Sequence, residues 1–151
     1  MNKNVKQQAL EITHRPQPKR QYFDVGLGAI SLSGADTGGA YCLLDVSLAP
    51  GIGVPRHTHT REDETYYVLA GELMVEVGDQ SFLLRPGDTL LAPRNIPHQL
   101  KNTGTVENRY LLVFSPAGSI CSTSPLTMIR AAPSTIIFAD APEASAAADA
   151  K

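Results

Sequence analysis

The chain of 151 residues has room for one domain with a single core, so its length excludes a second catalytic domain. Its composition, 42% hydrophobic and 19% charged, is that of a soluble globular protein, and no apolar run is long enough to cross a membrane. The formal net charge of -2 argues against nucleic acid as a partner, since phosphate binding usually brings a clustered basic excess.

Short apolar stretches with a period of two alternate with turns that hold many of the eleven prolines and twelve glycines, a pattern typical of an all-β protein. Eight strands are predicted, at residues 27–33, 40–48, 65–69, 72–77, 81–84, 89–92, 98–102 and 109–114. Because so many strands in a short chain need closure to avoid exposed edges, a jelly-roll β-barrel is predicted.

The predicted strand at 40–48 has a clear inward and outward alternation. The inward set is Cys42, Leu44, Val46 and Leu48, and the outward set is Tyr41, Leu43, Asp45 and Ser47. If Glu64 points inward in the next strand, the side chains at 66 and 68 follow it, and Tyr67 and Leu69 face outward. Such an outer face is more apolar than a solvated face needs to be, which favours a homodimer.

Three histidines and one glutamate have the spacing of a metal site: His57, His59, Glu64 and His98. Residues two apart on an extended strand point to the same side, so the imidazoles of His57 and His59 converge. Glu64 follows across a short turn, and His98 begins a later strand. These side chains give one divalent transition metal (Fe, Mn, Co, Ni, Cu or Zn) four ligands, with room left for substrate or oxygen. The alternative is a set of hydrogen-bonded core histidines without metal.

The residues around these positions form two motifs. The first cupin motif is matched by Gly51, His57, His59, Glu64 and Gly71. The second is matched by Gly87, Pro93, His98 and Asn102, with Asn95 where that motif usually has a glycine. Asparagine tolerates a positive φ better than most residues, so the turn is still expected to form. Over residues 23–118 the chain resembles small single-domain cupins related to quercetin 2,3-dioxygenase.

This resemblance implies a cupin-type double-stranded β-helix and a metal-dependent dioxygenase that acts on a small enolic or phenolic, flavonol-like compound. It also implies dioxygen as co-substrate and a homodimer as the assembly. The alternatives are an oxygen-independent isomerase, lyase or cyclase with the same metal, and a small-molecule-binding cupin without catalysis. The four ligands do not separate these classes, because one fold hosts many chemistries.

Glu64 has two roles in this interpretation, as a metal ligand and as the base that takes a proton from a phenol or enol. Its neighbours Glu62 and Asp63 are expected to be solvated charges, because Asp63 has the opposite strand parity and Glu62 lies in the turn. His14, in the polar leader, is expected at the surface.

A largely apolar substrate cavity is predicted beside the metal. The candidate substrate-binding residues are Tyr66, Val68, Met74, Leu100, Phe114 and Arg56. Tyr66 either hydrogen-bonds a substrate oxygen or belongs to the core. Arg56 or Arg61 either anchors an anionic group or is an ordinary surface charge.

Four segments are predicted: an N-terminal arm at 1–22, the barrel at 23–118, an extension at 119–138 with a strand at 135–138, and a disordered tail at 139–151. The N-terminus has lysines but no apolar run behind them, so no signal peptide is expected. Two cysteines, Cys42 and Cys121, cannot build a disulfide framework, and a cytoplasmic location is expected.

Overall fold

Ten β-strands make up most of the described part of the chain. The computed structural model describes residues 12–14, 16–23 and 26–118, and these ranges contain no helix, hence none long and apolar enough to cross a membrane. The strands are β1 (Gln21–Phe23), β2 (Gly26–Leu32), β3 (Cys42–Ser47), β4 (Gly53–His57), β5 (Asp63–Ala70), β6 (Leu73–Val77), β7 (Gln80–Leu84), β8 (Thr89–Ala92), β9 (His98–Lys101) and β10 (Arg109–Ser115). The predicted extension and tail, at 119–151, lie outside the described residues.

The strands pair in two antiparallel sheets that enclose the core. The six-stranded sheet has the order β1-β2-β3-β10-β5-β8, and the four-stranded sheet has the order β4-β9-β6-β7. β10 lies between β3 and β5, so it joins strands from the early and middle parts of the chain. This arrangement confirms the predicted all-β class and the jelly-roll architecture.

Two observed strands, β1 and β4, are missing from the sequence prediction. β1 has only three residues. β4 contains Pro55, which weakens its strand signal because proline cannot donate a ladder hydrogen bond. β4 forms an edge of the four-stranded sheet, and edges are where proline is tolerated.

The inward alternation predicted for β3 is confirmed. Its four predicted inward residues are at most 8% exposed. Ser47 is the exception, because it was predicted to face outward and is 3% exposed. Arg20, from the segment before β1, covers this residue and donates a 2.7 Å hydrogen bond to its hydroxyl. The same guanidinium pairs with Asp45 at 2.6 Å, so the segment before β1 is fastened to the outside of β3.

The orientation predicted for Met74 is wrong. Leu73 and Val75, on either side of it in β6, are fully buried, whereas Met74 is half-buried on the opposite face of the strand. Three consecutive apolar residues carry no alternation, so the sequence did not distinguish the two faces. Met74 therefore does not line the space between the sheets.

Two buried asparagines form a polar network after β9 and before β10. The Asn102 side chain donates a 2.8 Å hydrogen bond to the carbonyl of Leu48. Asn108 accepts from the N–H of Leu48 at 3.0 Å and donates to the carbonyl of Glu72 at 2.8 Å. Gly71, with a φ of 71°, lies against this network, and a Cβ there would approach the Asn108 Cα to 2.9 Å. We call these contacts the asparagine network; they close one end of the barrel.

Candidate metal centre

Four side chains converge at the other end of the barrel. His57 is the last residue of β4, Glu64 is the second residue of β5, and His98 is the first residue of β9. Because β4 ends at His57, the strand argument does not reach His59, which lies in the following loop and still turns its ring toward the others. One ligand atom from each side chain lies within 4.8 Å of all the others, so the cluster can hold one metal ion.

The Nε2 atoms of the three histidines and one oxygen of Glu64 face the same small volume. Glu64 Oε2 is 2.7 Å from Nε2 of His98, 3.2 Å from Nε2 of His59 and 3.9 Å from Nε2 of His57. The Nε2 atoms of His57 and His59 are 3.2 Å apart. Lone-pair donors crowded in this way are favourable around a shared cation, which supports a divalent transition metal as the group that fits.

Backbone carbonyls orient two of the three imidazole rings. His57 Nδ1 lies 2.8 Å from the carbonyl oxygen of Pro55, and His98 Nδ1 lies 2.9 Å from that of Ile96. A carbonyl oxygen only accepts, so each Nδ1 carries the proton and donates it. In a neutral ring this leaves Nε2 with a free lone pair that points into the cluster, as a metal ligand requires.

Asn95 connects the two halves of the cluster. It adopts a φ of 65°, the positive value that was predicted for the position where the second motif usually has a glycine. Its N–H donates a 2.7 Å hydrogen bond to the carbonyl of His59. The turn that leads into His98 is thereby attached to the loop that carries His59, and this connects two ligands distant in sequence.

Comparison with known proteins assigns this fold and site to a family. Residues 44–114 match the Cupin_2 model, which describes the cupin domain. Residues 44–114 of the chain form a cupin domain. This cupin is 37% identical over 67 residues to Protein SchB of Streptomyces halstedii, a match that covers 44% of this chain and 49% of SchB.

Two further similar proteins have names that mention oxalate. The cupin is 31% identical over 96 residues to oxalate oxidase GF-3.8 of Triticum aestivum, covering 58% of this chain and 43% of that protein. It also superposes with a TM-score of 0.58, at 28% identity, on the crystal structure of a predicted oxalate decarboxylase from Thermotoga maritima, covering 66% of this chain and 91% of that one. The cupin spans about half or less of the length of these curated relatives.

The carboxyl group of Glu64 is ionised in spite of its burial. Burial raises the pKa of Glu64, but hydrogen bonds and positive charge from His59 and His98 outweigh it and bring the pKa to about 2. Burial lowers the pKa of His98, yet the hydrogen bond to Glu64 leaves that pKa raised. Burial lowers the pKa of His57, which keeps this imidazole neutral and able to act as a ligand.

Tyr66 and Phe114 are the predicted substrate-binding residues that the structure places next to the cluster. Tyr66 follows Glu64 on the same face of β5, is fully buried, and its hydroxyl has no hydrogen-bond partner among the described residues. Burial and the neighbouring charge of Glu64 raise the pKa of Tyr66 well above its ordinary value. The ring of Phe114 packs edge-to-face on His59, with centroids 5.3 Å apart.

Other predicted site residues lie elsewhere. Val68 and Leu100 are buried in the core shared by the two sheets. Arg56 is exposed and donates a 2.8 Å hydrogen bond to the carbonyl of Gly78, and its charge acts on His98 without a direct contact. Arg61 and His14 are also exposed, as expected of surface side chains.

The two acidic neighbours of Glu64 differ from each other. Asp63 lies on the outer face, as predicted, and pairs with Arg94 at 2.8 Å. Hydrogen bonds from Arg94 bring the pKa of Asp63 to about 2. Glu62 was predicted to be a solvated charge, and this is wrong, because it is 5% exposed and packs against Gly118. The inward parity of Glu64, extended two residues back, was the sequence signal for it.

Proposed function

We propose that this cupin is a metal-dependent dioxygenase that acts on a small enolic or phenolic compound. The convergence of three imidazole nitrogens on the ionised carboxylate of Glu64 is the observation that carries the proposal. A transition metal held by His57, His59, Glu64 and His98 would supply Lewis-acid polarisation of a substrate oxygen and a route for electrons to dioxygen.

Glu64 provides the base in this proposal. A carboxylate with a pKa of about 2 is deprotonated at neutral pH but is a weak base, so it would take the proton of a phenol or enol only where a bound metal makes that hydroxyl more acidic. The residue is 2% exposed, so water competes little for its oxygens. Loss of the proton makes the substrate electron-rich, which is the state in which such a compound reacts with dioxygen.

Tyr66 and Phe114 are suited to hold the substrate. The Tyr66 hydroxyl stays protonated because burial and the charge of Glu64 raise its pKa, and it lies within the influence of the Glu64 carboxylate without a well-formed hydrogen bond, so it can donate to a substrate oxygen bound there. Phe114 presents an aromatic edge and face next to His59, against which a flat ring packs and from which water is excluded. This lining favours an aromatic or enolic ring over a sugar phosphate.

A small dicarboxylate is a second candidate substrate, supported by the two relatives whose names mention oxalate. Its two negative charges call for a cationic side chain close to the metal. Among the described residues, Arg56 is close enough for its charge to act on His98, but its guanidinium is exposed and hydrogen-bonded to the carbonyl of Gly78. This observation ranks the dicarboxylate below the phenol or enol.

A second candidate reaction uses the same residues without oxygen. Because Glu64 is ionised next to the site where a carbonyl oxygen would be polarised, it also suits proton transfer in an isomerase, lyase or cyclase. Turnover that continues under strict anaerobiosis would favour this reaction. Ligand binding with no product detectable by mass spectrometry would instead indicate a binding protein.

The deciding experiment measures metal and oxygen together. Protein purified without a metal-binding tag is analysed by elemental mass spectrometry beside the His57→Ala variant, and oxygen uptake is then screened with flavonols and other enols. We expect near one equivalent of a transition metal in the parent, little in the variant, and uptake only in the parent. A metal-replete parent that consumes no oxygen with any of these compounds contradicts the dioxygenase.

We further propose that the cupin is a homodimer. The outer face of the six-stranded sheet carries Tyr67 (42% exposed), Leu69 (39% exposed) and Leu91 (52% exposed) on the neighbouring strands β5 and β8. Exposed apolar side chains grouped in this way support contact with a second copy. Light scattering of the parent and of Tyr67→Lys tests the dimer, which the variant is expected to weaken.

A further inference from the structure

A second carboxylate follows the inward alternation of β5. Glu62, Glu64 and Tyr66 are all at most 5% exposed, whereas Asp63 between the two glutamates is only half-buried and faces Arg94. Glu62 immediately precedes β5, and extending the alternation of the strand by one residue puts its side chain on the same side as Glu64. Residues two apart in an extended chain are separated by about 7 Å, a span that one small ring compound bridges.

The Glu62 carboxylate has no hydrogen-bond or salt-bridge partner in the described ranges, although its charge acts on Arg94. The residue as a whole is 5% exposed, and its carboxylate oxygens keep some contact with solvent. An accessible carboxylate that no donor of the chain satisfies is a place for a donor on a ligand. Its carboxylate lies over Gly118, where a Cβ would overlap Oε1 and Cδ.

We propose that Glu62 determines substrate specificity by accepting a hydrogen bond from a hydroxyl group of the substrate. That hydroxyl lies across the ring from the oxygen that binds at the metal cluster, about 6 to 7 Å away. The inference rests on the proposed function and narrows it. The substrate class becomes an enol or phenol with a second, distal hydroxyl group, and a ring without that group binds less well.

Two pyranones that differ by one hydroxyl group provide the test. Kojic acid and allomaltol share the same enolic chelating oxygens, and kojic acid carries a hydroxymethyl group where allomaltol carries a methyl group. The full-length protein is loaded with one equivalent of Co²⁺, and each compound is titrated while the visible spectrum reports its entry at the metal. We expect kojic acid to bind about 10-fold more tightly, the gain typical of one hydrogen bond to a charged group.

Four variants separate the role of Glu62 from general damage. In Glu62→Leu the two compounds should bind about equally well, so the ratio of their affinities falls to about 1. In Glu62→Gln this ratio should lie between that value and the parent's. Gly118→Ala should also lower it, because the added Cβ displaces the carboxylate while its charge stays. Asp63→Asn, on the outer face, is the matched control and should keep the parent's preference. Cobalt stoichiometry and melting temperature are recorded for each, and if Glu62→Leu does not fold, Glu62→Gln and Gly118→Ala carry the test.

The possible failures are distinguishable. If the ratio of kojic acid affinity to allomaltol affinity is the same in the parent and in all Glu62 and Gly118 variants, the role of Glu62 is overturned. The proposed function is then still supported. If neither pyranone changes the cobalt spectrum of the parent, the enol-binding function fails, and the inference fails with it. A preference that falls equally in Asp63→Asn also overturns the assignment, because that side chain does not face the site.

Discussion

Buried polar groups are found at both ends of the barrel, and the two ends satisfy them in different ways. In the asparagine network, Asn102 and Asn108 bond to backbone N–H and carbonyl groups at 2.8 to 3.0 Å. In the metal cluster, Glu64 has three histidine side chains as its neighbours, and the Tyr66 hydroxyl has no partner among the described residues. One set is complete within the chain, while the other has capacity left for a metal and a ligand.

This difference separates stability from function. A buried polar network whose partners are all present rigidifies the fold, whereas a partly satisfied one is costly unless something binds there. We therefore expect changes in the asparagine network to alter the free energy of unfolding. Changes in the metal cluster should alter metal content and activity more than unfolding.

The largest expected effect is the loss of a ligand. His98→Ala removes the histidine nitrogen closest to Glu64, at 2.7 Å, and should lower metal affinity by at least about 100-fold and abolish activity. Elemental mass spectrometry after dialysis measures the metal. His14→Ala, at an exposed histidine, is the control and should keep the parent's metal content. A His98→Ala protein that retains a full equivalent would contradict the four-ligand site.

Glu64→Gln should separate binding from chemistry. The amide oxygen remains a weak ligand but no longer accepts a proton, so activity should fall by about 100-fold or more while metal content falls less. Parallel measurements of bound metal and kcat test this. Equal fractional losses of metal and kcat would mean that Glu64 is a ligand alone.

At the opposite end, Asn108→Ala should change stability without changing the metal. It leaves the N–H of Leu48 and the carbonyl of Glu72 without their partner, at a cost of about 3 kcal/mol in the free energy of unfolding. Urea denaturation measures this value, with Thr103→Ala, an exposed neighbour, as the control. If the variant instead loses its metal while keeping its stability, the contrast between the two ends is wrong.

The smallest effect is expected on the outer face of β3. Hydrogen bonds from Arg109 and Arg20 lower the pKa of Asp45 below its ordinary value of 3.8. A lowered folded-state pKa means that the ionised group stabilises the protein above pH 3.8 and that this contribution disappears as the pH falls through the folded-state value. Asp45→Asn should therefore cost at most about 1 kcal/mol at neutral pH, and denaturation at decreasing pH should show the difference narrowing.

Most of the fold and three of the four cluster residues were predictable from local signals, and the distant His98 was identified by its place in the second cupin motif. Strand alternation in β3 and β5 gave the inward faces, and the spacing of His57, His59 and Glu64 is short enough to read directly. The positive φ of Asn95 followed from the known tolerance of asparagine. Each of these features depends on the chain within a few residues.

Two of the errors involve contacts between distant segments. Ser47 is buried because Arg20 covers it, and Glu62 is buried while it packs on Gly118; neither contact is visible in the local sequence. Met74 was misplaced because its apolar neighbours gave the strand no alternation. β4 was missed because Pro55 argues against a strand that is paired on both sides. β4 is an edge strand, where proline is tolerated, and the sequence does not show that it lies at an edge.

β9 has consequences for how this chain tolerates changes in length. It holds four residues, with His98 at its start and Asn102 just after its end, and it is hydrogen-bonded to β4 on one side and β6 on the other. A deletion or insertion of one residue inside β9 would shift the register on one side of the change and turn the side chains there to the other face. His98 and Asn102 could then not both keep their places, so such a change would displace either the metal ligand or the asparagine, and variation in length belongs in the loops on either side.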